Sequence, residues 1–184
     1  MKIIAGNFKS RNITVPERIR PVSLRVKKSC FDILGSEAKN LDCLDLFSGS
    51  GSLGLEALSR GAKTVVFIDS QSSALKAIRA NIKALDLSRQ TQAYQKDAFL
   101  ALKVLEAKKS KFGLVFLDPP YYKGLITKAL QALEEYDIVA PFGYIICFCY
   151  IKDDFPQSTG LFSLILEKNY GQSLLLIYQK QEKP

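Results

Sequence analysis

The sequence contains no histidine. Imidazole is the commonest acid–base group at neutral pH, so any catalysis here proceeds without it. The same absence, with no Cys-x-x-Cys spacing, excludes the usual zinc centres, and no metal is expected. Only four cysteines occur, Cys30, Cys43, Cys147 and Cys149. Three sit in apolar runs and Cys30 adjoins one, so all four read as free, buried thiols of a reducing compartment. On a strand, Cys147 and Cys149 would share a face. No run approaches the roughly 18 consecutive apolar residues of a membrane span. The opening Met1–Ile13 lacks the long apolar stretch of a signal peptide, so a cytoplasmic location is expected. There are no internal repeats and no low-complexity segments.

What is present suits one domain. The chain has 184 residues, 47% of them hydrophobic, enough to bury a core. Its net charge of +8 is concentrated at one end. Residues 1–28 hold Lys2, Lys9, Arg11, Arg18, Arg20, Arg25, Lys27 and Lys28 against Glu17 alone, leaving the other 156 residues nearly neutral. A basic segment of this kind reads as a contact surface for a polyanion, or as a solvated arm with no partner.

Along the chain, residues 2–5 and 11–15 suggest a small hairpin around Gly6–Ser10. Val26, Cys30, Ile33 and Leu34 have helical spacing within 23–34. An alternation of strands and helices follows. Strands are predicted over 41–47, 64–68, 91–95, 114–117 and 143–150, and helices over 52–60, 72–85, 98–108 and 123–135. Gly61 serves as a helix stop. Two last strands, 162–168 and 173–179, are joined so tightly at Tyr170–Gly171 that they must be antiparallel. The fold class is therefore α/β: a doubly wound, mostly parallel, seven-stranded sheet with an antiparallel last strand and a short N-terminal hairpin–helix extension. Such sheets bind ligands beyond the carboxyl ends of their strands, at the point where strand order reverses. Residues 1–36 read as the basic extension and 37–184 as the catalytic domain, in a single compact unit.

The loops at those strand ends hold the most unusual residues. The first reads Asp45-Leu46-Phe47-Ser48-Gly49-Ser50-Gly51-Ser52-Leu53-Gly54, with a G-x-G-x-x-G spacing between a strand and a helix. Asp69, 20 residues after Gly49, can accept both hydroxyls of an adenosine ribose or cap the following helix. Asp97, followed by Ala98, can take an adenine amino proton or act as an N-cap. A dinucleotide would place its pyrophosphate beside Asp45, which is unfavourable, whereas a carboxylate there suits an ammonium group. The fourth strand ends Asp118-Pro119-Pro120-Tyr121. The prolines leave the Asp118 and Pro119 carbonyls as acceptors beside the Asp118 carboxylate. Acceptors that grip an exocyclic NH2 draw its lone pair toward an electrophile, and Tyr121 can stack on the base.

These residues resemble the amino-methylating class I methyltransferases. Ile3-Ile4-Ala5-Gly6, Arg20-Pro21 and Arg25-Val26 upstream of Phe31 narrow the resemblance to the bacterial small-subunit ribosomal RNA guanine-N2 methyltransferase family. That resemblance implies transfer of a methyl group from S-adenosylmethionine to one guanine of 16S rRNA in the small subunit, by a chain expected to be a monomer. It implies Asp118, Pro119, Pro120 and Tyr121 as the target-amine clamp. It implies Asp45, Phe47, Gly49, Ser50, Gly51, Asp69, Ser70, Asp97, Ala98 and Asp118 as the cofactor site. The charge pattern adds Lys9, Arg11, Arg20, Arg25 and Lys27 as phosphate contacts. The sequence departs from the family at Val22 and Ser23, where threonines are common, and after Cys147-Phe148-Cys149-Tyr150, where relatives often carry an acid. Three other readings remain open: a DNA adenine-N6 or cytosine-N4 methyltransferase, a non-catalytic RNA-binding protein, and a dehydrogenase, the last disfavoured by Asp45.

Overall fold

The computed structural model describes every residue except 18, 20, 122, 123, 183 and 184. After an irregular N-terminal stretch, the chain runs through α1 (Leu24–Leu34), β1 (Asp42–Leu46), α2 (Ser52–Ser59), β2 (Thr64–Asp69), α3 (Ser72–Ala84) and β3 (Thr91–Gln95). It continues through α4 (Ala98–Ala107), β4 (Phe112–Leu117), α5 (Leu125–Glu135), β5 (Val139–Tyr150), β6 (Phe162–Tyr170) and β7 (Ser173–Lys180). The strands form one sheet in the order β3-β2-β1-β4-β5-β7-β6. All pairs from β3 to β5 are parallel, and β7 lies antiparallel between β5 and β6.

Alternation along the strands explains the two-sided core. Cys43, Val65, Phe67, Leu114, Phe116, Ile146 and Phe148 join residues of α1, α2 and α3 in one cluster. Their neighbours Leu44, Leu46, Val66, Ile68, Val115, Leu117 and Ile145 join α4 and α5 in the other. Cys147 and Cys149 do share a face, in this second cluster. All four thiols are free and buried, and burial pushes each thiol up, Cys149 to about 12.

The N-terminal hairpin forms but is short: one antiparallel bridge between Lys2 and Asn12, flanked by backbone bonds from Ile3 N to Arg11 O and from Ile13 N to Met1 O. It is also held by contacts with the body of the protein. Two elements differ from the sequence expectation. The strand expected at 143–150 begins at Val139, because Phe142, at φ +56°, and a register shift opposite Phe112–Leu114 carry the chain past Pro141 and Gly143 as a bulge. The last helix, expected from residue 123, is described from Leu125, where Gly124 caps it in the left-handed region.

The N-terminal stretch has no core of its own. Ile3, Ile13, Val26, Cys30, Phe31 and Leu34 pack in the same cluster as α2 and α3. It is fixed by Glu56 of α2, which is fully buried. The Glu56 carboxylate accepts from the backbone N–H of Ile4 (2.8 Å) and Ala5 (3.0 Å) and from Arg60 Nε (3.0 Å). It also pairs with Lys27 Nζ at 3.4 Å. Ser59 continues the attachment: its hydroxyl donates to Ala5 O and accepts from Phe8 N. Gly6 passes so close that a Cβ would lie 1.8 Å from the Ser59 carbonyl.

This arrangement corrects one expectation. Lys27 cannot contact a phosphate, because it is wholly buried and serves Glu56 and the Lys2 carbonyl. Burial pulls its ammonium below the ordinary value, while Glu56 acts in the opposite direction. Arg20 lies outside the described residues.

A buried ion pair is a weak source of stability, but removing one partner strands the other charge. Glu56→Gln should therefore lower unfolding stability in urea by about 3–5 kcal/mol. A loss below about 1 kcal/mol, the value of a solvated surface pair, would contradict this role for the carboxylate.

Candidate active site at the switch point

Strand β1 is flanked by β2 on one side and β4 on the other, so chain order reverses between β1 and β4. The loops leaving these strands diverge there and open a crevice. The loop after β1 is shaped by four residues. Phe47 adopts a left-handed backbone, φ +66°, which is uncommon for a bulky side chain and characteristic of a constrained site. Its ring meets Phe99 edge-on at 6.4 Å. Ser48 Oγ accepts from Ile68 N and donates to the Asp45 carbonyl, tying the end of β1 to β2. Gly51 starts α2 at φ +75°. Gly54 lets α2 lie against β2: a Cβ there would sit 2.4 Å from Phe67.

Three carboxylates converge on this turn. Asp69, at the end of β2, accepts from Gly49 N (2.8 Å) and from Gln71 N (2.9 Å), one bond to each oxygen. It therefore fixes the glycine turn, and each oxygen keeps a second lone pair for a ligand. Asp45 is buried beneath the turn. Its Oδ2 accepts from Gly54 N at 3.0 Å, while its Oδ1 is buried with no hydrogen-bond partner. Burial pushes the Asp45 carboxyl well above the usual range, and the nearby Asp118 and Asp69 charges push it further. Asp118 stands at the tip of β4. A cationic group among these three acids would relieve that repulsion, whereas a pyrophosphate would aggravate it.

The crevice is a cavity of about 360 Å³. Phe47 and Gly49 line it from the first loop, Asp69, Ser70 and Gln71 from the second, and Lys96, Asp97 and Ala98 from the third. Asp118, Pro119, Pro120 and Tyr121 line it from the fourth. Asp97 also caps α4, its Oδ1 accepting from Phe99 N and Leu100 N, so both roles foreseen for it are compatible. Tyr121 lies beside Tyr150, with ring centres 6.1 Å apart and a 34° tilt. Asp45, Ser50 and Gly51, expected in the cofactor site, do not line the cavity wall; they support the turn from behind. Among the described residues, no cluster of acids and cysteines could hold a metal ion, and no helix is long and apolar enough to cross a membrane.

Sequence reasoning missed the rest of the wall. Ile19, Pro21, Val22, Ser23 and Val26 close the cavity from the N-terminal side. Asn81 of α3 secures this segment: it accepts from Thr14 N (2.7 Å) and donates to the carbonyls of Thr14 (3.0 Å) and Ser50 (3.2 Å). A buried asparagine within an amphipathic helix was the available signal, since such a residue needs partners. Of the expected phosphate contacts, Lys9, Arg11 and Arg25 are exposed, and Arg11 also donates to the Ala84 carbonyl at 3.1 Å.

A sheet in this order, with its cavity at this reversal, is the class I methyltransferase fold. The chain belongs to the family described as conserved hypothetical protein 95, whose sequence model matches residues 1–179. It is 30% identical over 183 residues to ribosomal RNA small subunit methyltransferase D of Escherichia coli, covering 98% of this chain and 90% of that one. It is 32% identical to the protein of the same name from Haemophilus influenzae, covering 97% and 93%. The solved structure of yhhF from Escherichia coli superposes with a TM-score of 0.88 at 30% identity, covering 100% of this chain and 99% of that one. An RNA methyltransferase from Salinibacter ruber in complex with S-adenosyl-L-homocysteine shares the fold, with a TM-score of 0.68 at 18% identity and 90% and 96% coverage.

The elevated Asp45 carboxyl has a stability consequence. Below the ordinary carboxylate range both folded and unfolded chains hold the proton. As pH rises past that range, the unfolded chain ionises freely while the folded chain resists, so native stability falls until Asp45 ionises in place. Asp45→Asn keeps an acceptor for Gly54 N and removes the charge. Its melting temperature should exceed that of the wild type by a margin that grows from pH 4 to pH 8. A constant or shrinking margin in thermal melts would count against a strained Asp45.

Proposed function

We propose that this chain transfers a methyl group from S-adenosylmethionine to the exocyclic N2 of a guanine in 16S rRNA of the small ribosomal subunit. The observation that carries the reading is the meeting of two unlike features in one cavity: a glycine turn ringed by acids, and Asp118-Pro119-Pro120-Tyr121 leaving the adjacent strand β4. The names of the relatives above support ribosomal RNA as the substrate, and the resemblance in the residues supports guanine N2.

S-adenosylmethionine, when bound, supplies an electrophilic methyl group. The residues present fit such a group. Asp69 offers two carboxylate lone pairs to ribose hydroxyls, and Asp97 and Ala98 would take the base. Asp45 and the turn above it favour the cationic end of the molecule. The chain's own task is then alignment. A guanine amine is a poor nucleophile because its lone pair is delocalised into the ring. The Asp118 carboxylate and the Pro119 carbonyl accept its two hydrogens and return electron density to nitrogen. The proton leaves to Asp118 or to water, so no histidine is required. Tyr121 holds the face of the base, which must be unpaired or flipped from its stack at a cost of a few kcal/mol. Lys9, Arg11 and Arg25 contact phosphates.

Mass spectrometry of nucleosides from 16S rRNA, incubated with the chain and S-adenosylmethionine, tests the reading. N2-methylguanosine is expected. Methylation of adenine or cytosine instead, or of DNA alone, would refute it. Two variants refine the roles. Asp118→Asn should lower kcat about a hundredfold or more, the scale of losing one preorganised polar contact to the reacting group. Tyr121→Ala should weaken apparent RNA binding by roughly 1–3 kcal/mol. Near-normal turnover by Asp118→Asn would remove Asp118 from the chemistry.

A further inference from the structure

Beside the cavity, the hairpin between β6 and β7 meets the start of α1 in a small cationic cluster. Tyr170 ends β6, and its hydroxyl hydrogen-bonds with Ser29 Oγ. The Arg25 guanidinium carbon lies 5.9 Å from the centre of the Tyr170 ring, and Lys168 Nζ lies 5.8 Å from it. Arg25 and Ser29 are one turn apart on α1, so both reach the same ring. Gly171, at φ +76°, turns the chain directly after the tyrosine. The ring is thus held at its hydroxyl, by its backbone and by the cations.

The charges are what call for explanation. Lys27, Lys28, Arg60, Lys63, Lys111 and Lys180 each pair with a carboxylate. Arg25 and Lys168, both exposed, share with many other cations among the described residues the lack of a carboxylate at ion-pair distance; what sets them apart is that both lie over one aromatic ring. Two cations over one ring, with no carboxylate at ion-pair distance from either, leave positive charge on this rim that an anion would neutralise. Their place in the fold supplies the context. Ser23 and Val26, which flank Arg25 in sequence, line the cavity, and so does Ser173, three residues beyond Tyr170. The cluster therefore stands on the cavity rim.

We propose that Arg25, Ser29, Lys168 and Tyr170 form a second RNA contact at the mouth of the cavity, where the cations hold a phosphate next to the target nucleotide and Tyr170 supports an unpaired neighbouring base. The inference rests on the RNA substrate proposed above and adds the closing hairpin to a surface otherwise confined to the first 28 residues. Turning a base out of its stack leaves its neighbours exposed, and an aromatic ring with adjacent cations matches both the face of such a base and its backbone. An acidic peptide would satisfy the charges but would leave the ring without a partner.

The test is the salt dependence of binding to purified small-subunit ribosomal RNA. Each phosphate contact contributes about 0.7–0.9 to the slope of log affinity against log salt. Arg25→Gln with Lys168→Gln should flatten that slope by about 1.4–1.8. Tyr170→Leu should weaken binding at least about fivefold at every salt concentration and leave the slope unchanged. Should the double variant melt lower than the wild type, Lys168→Gln alone, on the exposed hairpin, should flatten the slope by about 0.7–0.9. A wild-type slope in either charge variant overturns the proposal. So does unchanged binding to naked RNA with lost binding to assembled subunits, which would assign the surface to a protein. Because the readout is binding, failure to find methylated guanine would sink the reading above without moving this result.

Discussion

Three carboxylates share one end of this sheet, and that crowding organises the molecule. Asp45, Asp69 and Asp118 end adjacent parallel strands, so the topology itself forces them together. Asp69 is stabilised by two backbone N–H groups. Asp45 has one such bond and one buried oxygen with none. A fold does not bury an unsatisfied acid beside two others for stability, since each feature raises the free energy of the ionised native state. The arrangement makes sense when a positively charged ligand enters the cavity. The same acids reject an anionic pyrophosphate, which separates this site from the dinucleotide sites of similar sheets. Catalysis without histidine follows from the same logic. With an activated methyl donor, the protein needs to place charges and acceptors rather than relay a proton.

The N-terminal stretch has two jobs that its charge alone does not reveal. One face is structural. Ile4 and Ala5 bind Glu56, Thr14 binds Asn81, and Ile19, Pro21, Val22, Ser23 and Val26 supply the missing cavity wall. The other face carries Lys9, Arg11 and Arg25 outward. Because one segment both walls the cavity and bears the exposed cations, any polyanion those cations held would lie against the site. Asn81 joins the same segment to the Ser50 carbonyl behind the glycine turn.

Much of the sheet is legible in the sequence because its central strands are buried on both faces and read as continuous apolar runs. The predicted strand 91–95 coincides with β3, and helices α2, α3 and α4 end within a residue of their expected limits. The strand-end loops follow from topology, so Phe47, Gly49, Asp69, Asp97 and Asp118 were identifiable as neighbours before any coordinates. The errors have physical causes. Proline and glycine at 141 and 143 look like a break, but a bulge accommodates them. Lys27 counts as surface charge in a tally along the chain, yet its spacing of three, four and seven from Cys30, Phe31 and Leu34 puts it on the buried stripe of α1. Its partner, Glu56, sits in a helix buried on every side, a second sign that both charges face inward. The Asn81 bridge joins residues 31 and 67 positions away, and no local pattern encodes such a link.

The most direct test of the central electrostatic claim is the proton balance of cofactor binding, measured by titration calorimetry of S-adenosylmethionine in buffers of different ionisation enthalpy. If Asp45 holds its proton too tightly in the empty cavity, a cationic ligand must expel it. Binding should then release protons at pH values above the ordinary carboxylate range and tighten as pH rises there, and Asp45→Asn should abolish both effects. Proton uptake on binding, or the same release from the asparagine variant, would contradict the account.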